Sequence, residues 1–137
     1  MARLGLVVSK FNRNITEQME QAARSAAKAL GAEVKIVVLV PGCFDMPLAA
    51  RKLLERKDID AVIALGAVVK GKTGHDQVVV HAAAASLAGL AVQFGKPVTF
   101  GVIGPDATWK QAVARQETYA RHAVQAAVEL LREIRKI

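Results

Sequence analysis

Four short apolar runs alternate along the chain with four longer stretches in which apolar residues recur every three or four positions. The runs Leu4–Val8, Val34–Val40, Ala61–Leu65 and Val98–Ile103 are rich in Val, Ile and Leu and predict strands. The longer stretches predict helices. From Ile15 to Leu30, Met19, Ala22, Ala23, Ala26, Ala29 and Leu30 fall on one helical face. Asn14 and Glu17 have capping-box spacing, and Gly31 follows as a stop. Met46–Arg56 is a second helix, with Pro47 in its first turn and Asp45 placed as N-cap. His75–Phe94 is a third, stopped by Gly95 and Pro97. Thr108 and Gln111 form another capping-box pattern, and a fourth helix runs from there almost to Ile137.

Strands this uniformly apolar are covered on both faces, which requires a parallel sheet between helix layers. The expected fold is therefore α/β: a three-layer α/β/α sandwich with a four-stranded parallel sheet, flavodoxin-like, with residues 1–137 as one domain. No linker or internal repeat divides the four βα units. In such sheets ligands collect at the carboxyl ends of the strands. Four segments lie there: Ser9–Asn12, Pro41–Asp45, Gly66–His75 and Gly104–Asp106.

Composition narrows the function classes. The 137 residues suffice for a proper core, and with only 4% aromatic residues that core is aliphatic. Cys43 is the only cysteine, so neither an internal disulfide nor a thiolate metal cluster can form within one chain. A reducing, cytoplasmic setting is the expectation. No signal peptide is expected, and the apolar stretch Val78–Val92 is interrupted by His81, Ser86 and Gly89, which favours a buried or interface helix over a membrane span. The net charge of +7 attracts phosphates in general. The basic residues are scattered and have no aromatics interleaved for base stacking, so nucleic acid is not the expected partner.

The loop Gly71-Lys72-Thr73-Gly74 precedes the third helix, where free N–H groups and the helix dipole favour an anion. Lys70, Lys72 and Thr73 add charge and a hydroxyl. It is not a Walker loop, because that spacing is absent. The plain alternative is a turn in which Thr73 merely caps the helix. His75 follows on the first turn and could move protons beside a bound phosphate. Phe11 at the exit of the first strand suits either the core or stacking on a planar ring. Asp45 could hold hydroxyls as well as cap a helix. Cys43 has no histidine near it in sequence and nothing that marks it as an activated nucleophile.

These segments together resemble the 6,7-dimethyl-8-ribityllumazine synthase family. The matching pieces are FN at 11–12, VPGCFDMP at 40–47, ALGAVVKGKTGHD at 64–76, KPVTFGV at 96–102 and KQAVAR at 110–115, in family order over nearly the whole chain. FDMP and GHD are similar to the archaeal branch. The resemblance implies condensation of 5-amino-6-(D-ribitylamino)uracil with 3,4-dihydroxy-2-butanone 4-phosphate, with no metal or organic cofactor. It implies that Phe11 stacks on the pyrimidine, with Asn12 as a further substrate contact, and that Cys43, Phe44 and Asp45 line the ribityl chain. Backbone groups of Ala67, Val68 and Val69 hold the pyrimidine edge. Lys72 and Thr73 take the phosphate, and His75 is the acid/base. Phe100 and Arg115 come from a neighbouring subunit, Arg115 as a second phosphate clamp. The chain lacks the Asn-Lys-Gly segment of bacterial members. His122 then falls opposite the missing lysine; Arg121 or His122 replaces its charge, or the role is dispensable. The resemblance further implies homopentamers, or larger icosahedral shells, with riboflavin synthase as an optional partner. Two other readings stay open here: a non-catalytic shell-forming scaffold, and an archaeal-type riboflavin synthase, which would need no phosphate site.

Overall fold

A computed structural model describes residues 1–137 in full. Nine elements follow in order: β1 (Arg3–Ser9), α1 (Arg13–Ala29), β2 (Glu33–Val40), a short 3-10 turn (Cys43–Asp45), α2 (Met46–Leu54), β3 (Ala61–Val69), α3 (His75–Phe94), β4 (Val98–Ala107) and α4 (Trp109–Ile134). The four strands form one parallel sheet in the order β2-β1-β3-β4. The expected α/β sandwich is thus observed.

Alternation along the strands divides the core into two layers. Leu4, Leu6 and Val8 of β1, with Ile63, Leu65 and Ala67 of β3, pack under α1 and α4. Val7 of β1, with Val62 and Ala64 of β3, packs under α2 and α3 with Met46, Leu53, Ala83 and Leu87. The apolar positions of both helix pairs face these layers, which explains why the strands show no polar face. Where α4 crosses β4 the approach is close: a Cβ on Gly101 would lie 2.9 Å from both Ala123 Cβ and Leu65 Cδ2, so glycine is required there.

Several boundaries differ from the sequence pattern. α1 begins at Arg13, with Asn12 as N-cap in the left-handed region at φ 60 and no side-chain cap, so the expected Asn14/Glu17 box is not formed. Asp45 does not cap α2 through its side chain; its Oδ2 accepts the Gly42 N–H at 3.0 Å. β3 continues four residues past Leu65, and β4 continues to Ala107. The Thr108 box on α4 is formed: Thr108 Oγ1 accepts the Gln111 N–H at 3.2 Å, and Gln111 Oε1 accepts the Thr108 N–H at 3.0 Å.

α3 is not buried within the protomer. Only Asp76, Val80, Ala83 and Leu87 are buried, while Val78 is 65% and Val92 86% exposed. By length and composition alone the helix could cross a bilayer, but its buried stripe is packed on the sheet.

At the amino-terminal end of the sheet, Asp60 ties β1, β3 and α4 together. It accepts from Arg3 N at 2.8 Å, Arg3 Nε at 3.1 Å and Arg3 Nη2 at 3.0 Å, and Arg135 Nη2 lies 3.7 Å away. Hydrogen bonds from the Arg3 side chain, then the Arg3 backbone N–H and the charges of Arg3 and Arg135, hold the Asp60 carboxyl below its ordinary range against the opposing effect of burial. A carboxyl lowered on folding stabilises fully above the ordinary aspartate value, about 3.9, and that contribution is lost as pH falls through the lower folded value. Asp60→Asn should lower Tm at neutral pH by roughly 3–6 °C, the scale expected for losing charge-assisted hydrogen bonds in a chain of this size. Scanning calorimetry should show the gap to wild type closing in acid, below the ordinary aspartate value; a gap that is constant with pH would contradict this role.

Candidate active site

The parallel arrangement brings the carboxyl ends of β1, β3 and β4 to one edge of the sheet, where the chain changes direction around β1. β1 pairs with β3 only as far as Val8 opposite Leu65. Beyond that point β3 is flanked by β4 alone, out to Val69 opposite Ala107. The side that β1 has left opens into a cavity of about 410 Å3.

Phe11, Cys43, Phe44, Ala67, Val68, Val69, Thr73 and His75 all line this cavity, although they come from four separate stretches of chain. Phe11 is 73% and Phe44 66% exposed, so neither is a core residue; both stand at the cavity mouth. Cys43 is part of the wall. Burial pushes its thiol up to about 11, the opposite of an activated nucleophile.

Asn12 is placed differently from the expectation. Its Nδ2 donates to the Ala67 carbonyl at 2.7 Å, which fixes the β3 backbone on the edge that β1 has left. A non-glycine residue at φ 60 is tolerated here because asparagine enters the left-handed region more readily than most. Asp45 likewise does not line the cavity; it fixes Gly42, which does. On the far side of β3, Gly104 at φ 117 lets β4 close in: a Cβ there would meet the Val68 carbonyl oxygen at 2.6 Å.

The first turn of α3 carries no side-chain cap, and Gly74 serves as N-cap at φ 67. The plain reading of Thr73 as a helix cap is therefore not realised. Free N–H groups and the dipole end of a 20-residue helix meet the cavity beside His75 and Thr73. Lys72 is exposed and does not line the cavity. Lys70 is engaged elsewhere, with Nζ 2.8 Å from Asp106 Oδ1; the bond to Asp106 raises the lysine pKa and lowers that of the aspartate.

Phe100, His122 and Arg115 are not brought to this cavity. Phe100 pairs with Ala64, three residues and about 10 Å upstream of Ala67 along the sheet. His122 lies 13 residues into α4, about 20 Å along its axis. Phe100 and His122 share another concavity with Thr99, Tyr119 and Ala123 on the β4 edge, of about 390 Å3. Arg115 is exposed near the start of α4. Another concavity, of about 480 Å3 between α1 and α4, is lined by Arg121 among other polar residues, which sets that guanidinium apart from the cavity at the end of β3.

Asp76 and Val79 line the cavity without having been singled out from the sequence. The available signal was helical spacing: Asp76 follows His75 on the first turn, and Val79 is four residues on from His75, on the same face.

Comparison with known proteins shows the family. The family model described as 6,7-dimethyl-8-ribityllumazine synthase matches residues 1–135. The 6,7-dimethyl-8-ribityllumazine synthase of Saccharolobus islandicus is 56% identical over 135 residues, covering 98% of this chain and 88% of its own. The synthase of Methanocaldococcus jannaschii is 49% identical over 137 residues, covering 100% and 96%. That of Methanopyrus kandleri is 53% identical over 135 residues, covering 98% and 95%. The chain belongs to the 6,7-dimethyl-8-ribityllumazine synthase family.

Proposed function

We propose that the cavity at the end of β3 is one part of an active site that a second copy of the chain completes. The whole chain serves as one lumazine-synthase domain. The reaction is that of the family: 5-amino-6-(D-ribitylamino)uracil condenses with 3,4-dihydroxy-2-butanone 4-phosphate, giving 6,7-dimethyl-8-ribityllumazine, phosphate and water, in riboflavin biosynthesis. The observation that carries the site assignment is the convergence of exposed Phe11, the one-sided backbone of Ala67–Val69 and the uncapped first turn of α3 around one cavity.

The roles follow from this placement. Phe11 stacks on the pyrimidine, and the backbone of Val69 meets its edge where β1 no longer pairs, while Val68, whose carbonyl faces β4, lines the cavity. Asn12 serves the same edge indirectly, by holding the Ala67 carbonyl. Cys43 and Phe44 flank the ribityl chain, with Asp45 bracing Gly42. Thr73 and the N–H groups of the first α3 turn take the phosphate, with Lys72 adding charge from the rim. The pyrimidine amine attacks the ketone and a Schiff base forms with loss of water. Phosphate is then eliminated, and the ribityl-bearing nitrogen closes the ring on the remaining carbonyl carbon with loss of a second water. Each step moves protons, and His75 beside the phosphate end is placed to carry them. The phosphate anchor and the stacked ring hold the two substrates together.

One protomer supplies little fixed positive charge to the phosphate, since Lys70 is paired with Asp106. An arginine from a second copy meets that need with bidentate geometry. Arg115, Phe100 and His122 lie outside the cavity of their own chain and are free to serve a neighbour's. The exposed apolar side of α3, including Val78 and Val92, supports association with other copies. A closed homopentamer fits a surface that must meet a different surface of the next copy. The setting proposed for this metabolic enzyme is the cytoplasm.

Mixed assemblies test the shared site. Equal amounts of His75→Ala and Arg115→Ala chains, unfolded and reassembled together, should recover activity in about a quarter of sites, since some neighbours then contribute one intact residue each. Steady-state assays with both substrates should find each variant alone well below that mixture. A mixture no better than the average of its parents would contradict a site built across two copies.

Cys43 provides a second test. With its thiol near 11, about one thousandth is thiolate at pH 8. Iodoacetamide at that pH should label the folded protein far more slowly than the unfolded chain, and Cys43→Ala should keep turnover. Rapid native labelling with loss of activity would point to a nucleophilic role instead.

A further inference from the structure

We propose that Asp76 is a positioning residue for this reaction: its buried carboxylate locks the first turn of α3, and with it His75 and the Gly71–Gly74 loop, onto the backbone at the exit of β4. The proposal rests on the reading of the cavity as the active site.

Asp76 is 4% exposed and lines the cavity. A carboxylate is costly to bury unless it is hydrogen-bonded. Its Oδ2 accepts the Asp106 N–H at 2.9 Å, a contact spanning 30 residues of sequence. Asp106 is one of two non-glycine residues at positive φ, at 64, and that conformation sets the direction in which its N–H points. The position of Asp76 at the amino end of a long helix also favours its charge.

Asp76 is matched by a second tether at the other end of the loop. The Lys70 N–H donates to the Ala107 carbonyl at 2.7 Å. The loop is therefore pinned at both ends, to consecutive residues of β4. Between the pins nothing else holds it: residues 71–75 are exposed, Thr73 caps nothing, and a Cβ on Gly71 or Gly74 would meet no atom within 4 Å. The Lys70–Asp106 ion pair lies outside the cavity with both side chains more than half exposed, and adds little. The body of α3 is held on the sheet by Val80, Ala83 and Leu87, and the Asp76 bond is the side-chain contact that fixes its first turn relative to the wall formed by β3. A displacement on the order of 1 Å at such a point costs up to about 100-fold in rate.

The test compares wild type, Asp76→Ala, Asp76→Asn and His75→Ala in steady-state assays with both substrates across pH, with hydrogen–deuterium exchange over residues 104–107. Asp76→Ala should lower kcat by roughly ten- to a hundredfold. It should raise KM for the phosphorylated ketone and leave KM for the pyrimidine within about twofold, because the pyrimidine wall belongs to β1 and β3. Asp76→Asn should recover most of kcat, since its side-chain carbonyl still accepts the Asp106 N–H, and the pH profile should keep its shape. In wild type the Asp106 amide should exchange slowly, a measurement that stands even if the alanine variant does not fold. Wild-type kcat in Asp76→Ala, or fast exchange of Asp106 in wild type, overturns the proposal. So does an asparagine variant as slow as alanine with an altered pH profile, which would assign Asp76 a proton-transfer or charge role. A His75→Ala variant with wild-type turnover would instead overturn the site reading itself.

Discussion

The site depends on an unequal strand pairing. β3 has β1 on one side and β4 on the other, but β1 ends first, at the pair Val8–Leu65. For the next four residues β3 is supported only from the β4 side. A strand edge left open carries hydrogen-bonding groups that must find partners. Here Asn12 takes the Ala67 carbonyl, and the rest of the edge faces a cavity of suitable size for a planar heterocycle. The open edge is a property of a rigid scaffold, not of a loop. It is supported from below by the aliphatic layers and from the β4 side by the close fit of Gly104 against Val68. The same strand then leads through the exposed loop Lys70–Gly74 to the α3 turn, which the Asp76–Asp106 bond ties back to β4, so the proposed pyrimidine wall and phosphate end are both referred to the sheet.

The distribution of the remaining residues follows from the topology. β4 is an edge strand and α4 runs back along it, so residues on this side of the protomer point away from the cavity that β3 opens. Phe100, His122 and Arg115 all lie there. The same architecture leaves α3 with an apolar surface its own chain does not cover. Both features are accounted for if the protein works as an assembly of copies, each giving a cavity on one side and the closing residues on the other. A missing lysine in α4 is then a question about the closing surface, where His122 stands beside Phe100, and not about the integrity of the cavity.

Much of this was legible in the sequence. Uniformly apolar strands separated by amphipathic helices demanded a parallel sheet, and of the four segments the strand-end rule named, three line the cavity while Gly104–Asp106 packs against β3 from the β4 side. Thr108 and Gln111 announced a helix start because both partners of that box lie within one turn. What escaped had a non-local cause. Gly66 reads as the end of a strand, yet β3 continues because β4 extends alongside it. Asn14 and Glu17 have the right spacing for a cap, but the left-handed turn at Asn12, secured to Ala67 55 residues away, starts the helix earlier. Asp45 read as a helix cap or a holder of hydroxyls and Asp76 drew no reading of its own; their partners became visible only once the chain was folded.

The most direct measurement is a crystal structure of the assembled protein soaked with inorganic phosphate. Phosphate is expected at the first turn of α3, with its oxygens about 2.7–3.2 Å from backbone N–H groups there and from the Arg115 guanidinium of an adjoining copy, and with His75 alongside. Phosphate bound elsewhere, or Arg115 directed into solvent in every copy, would contradict it.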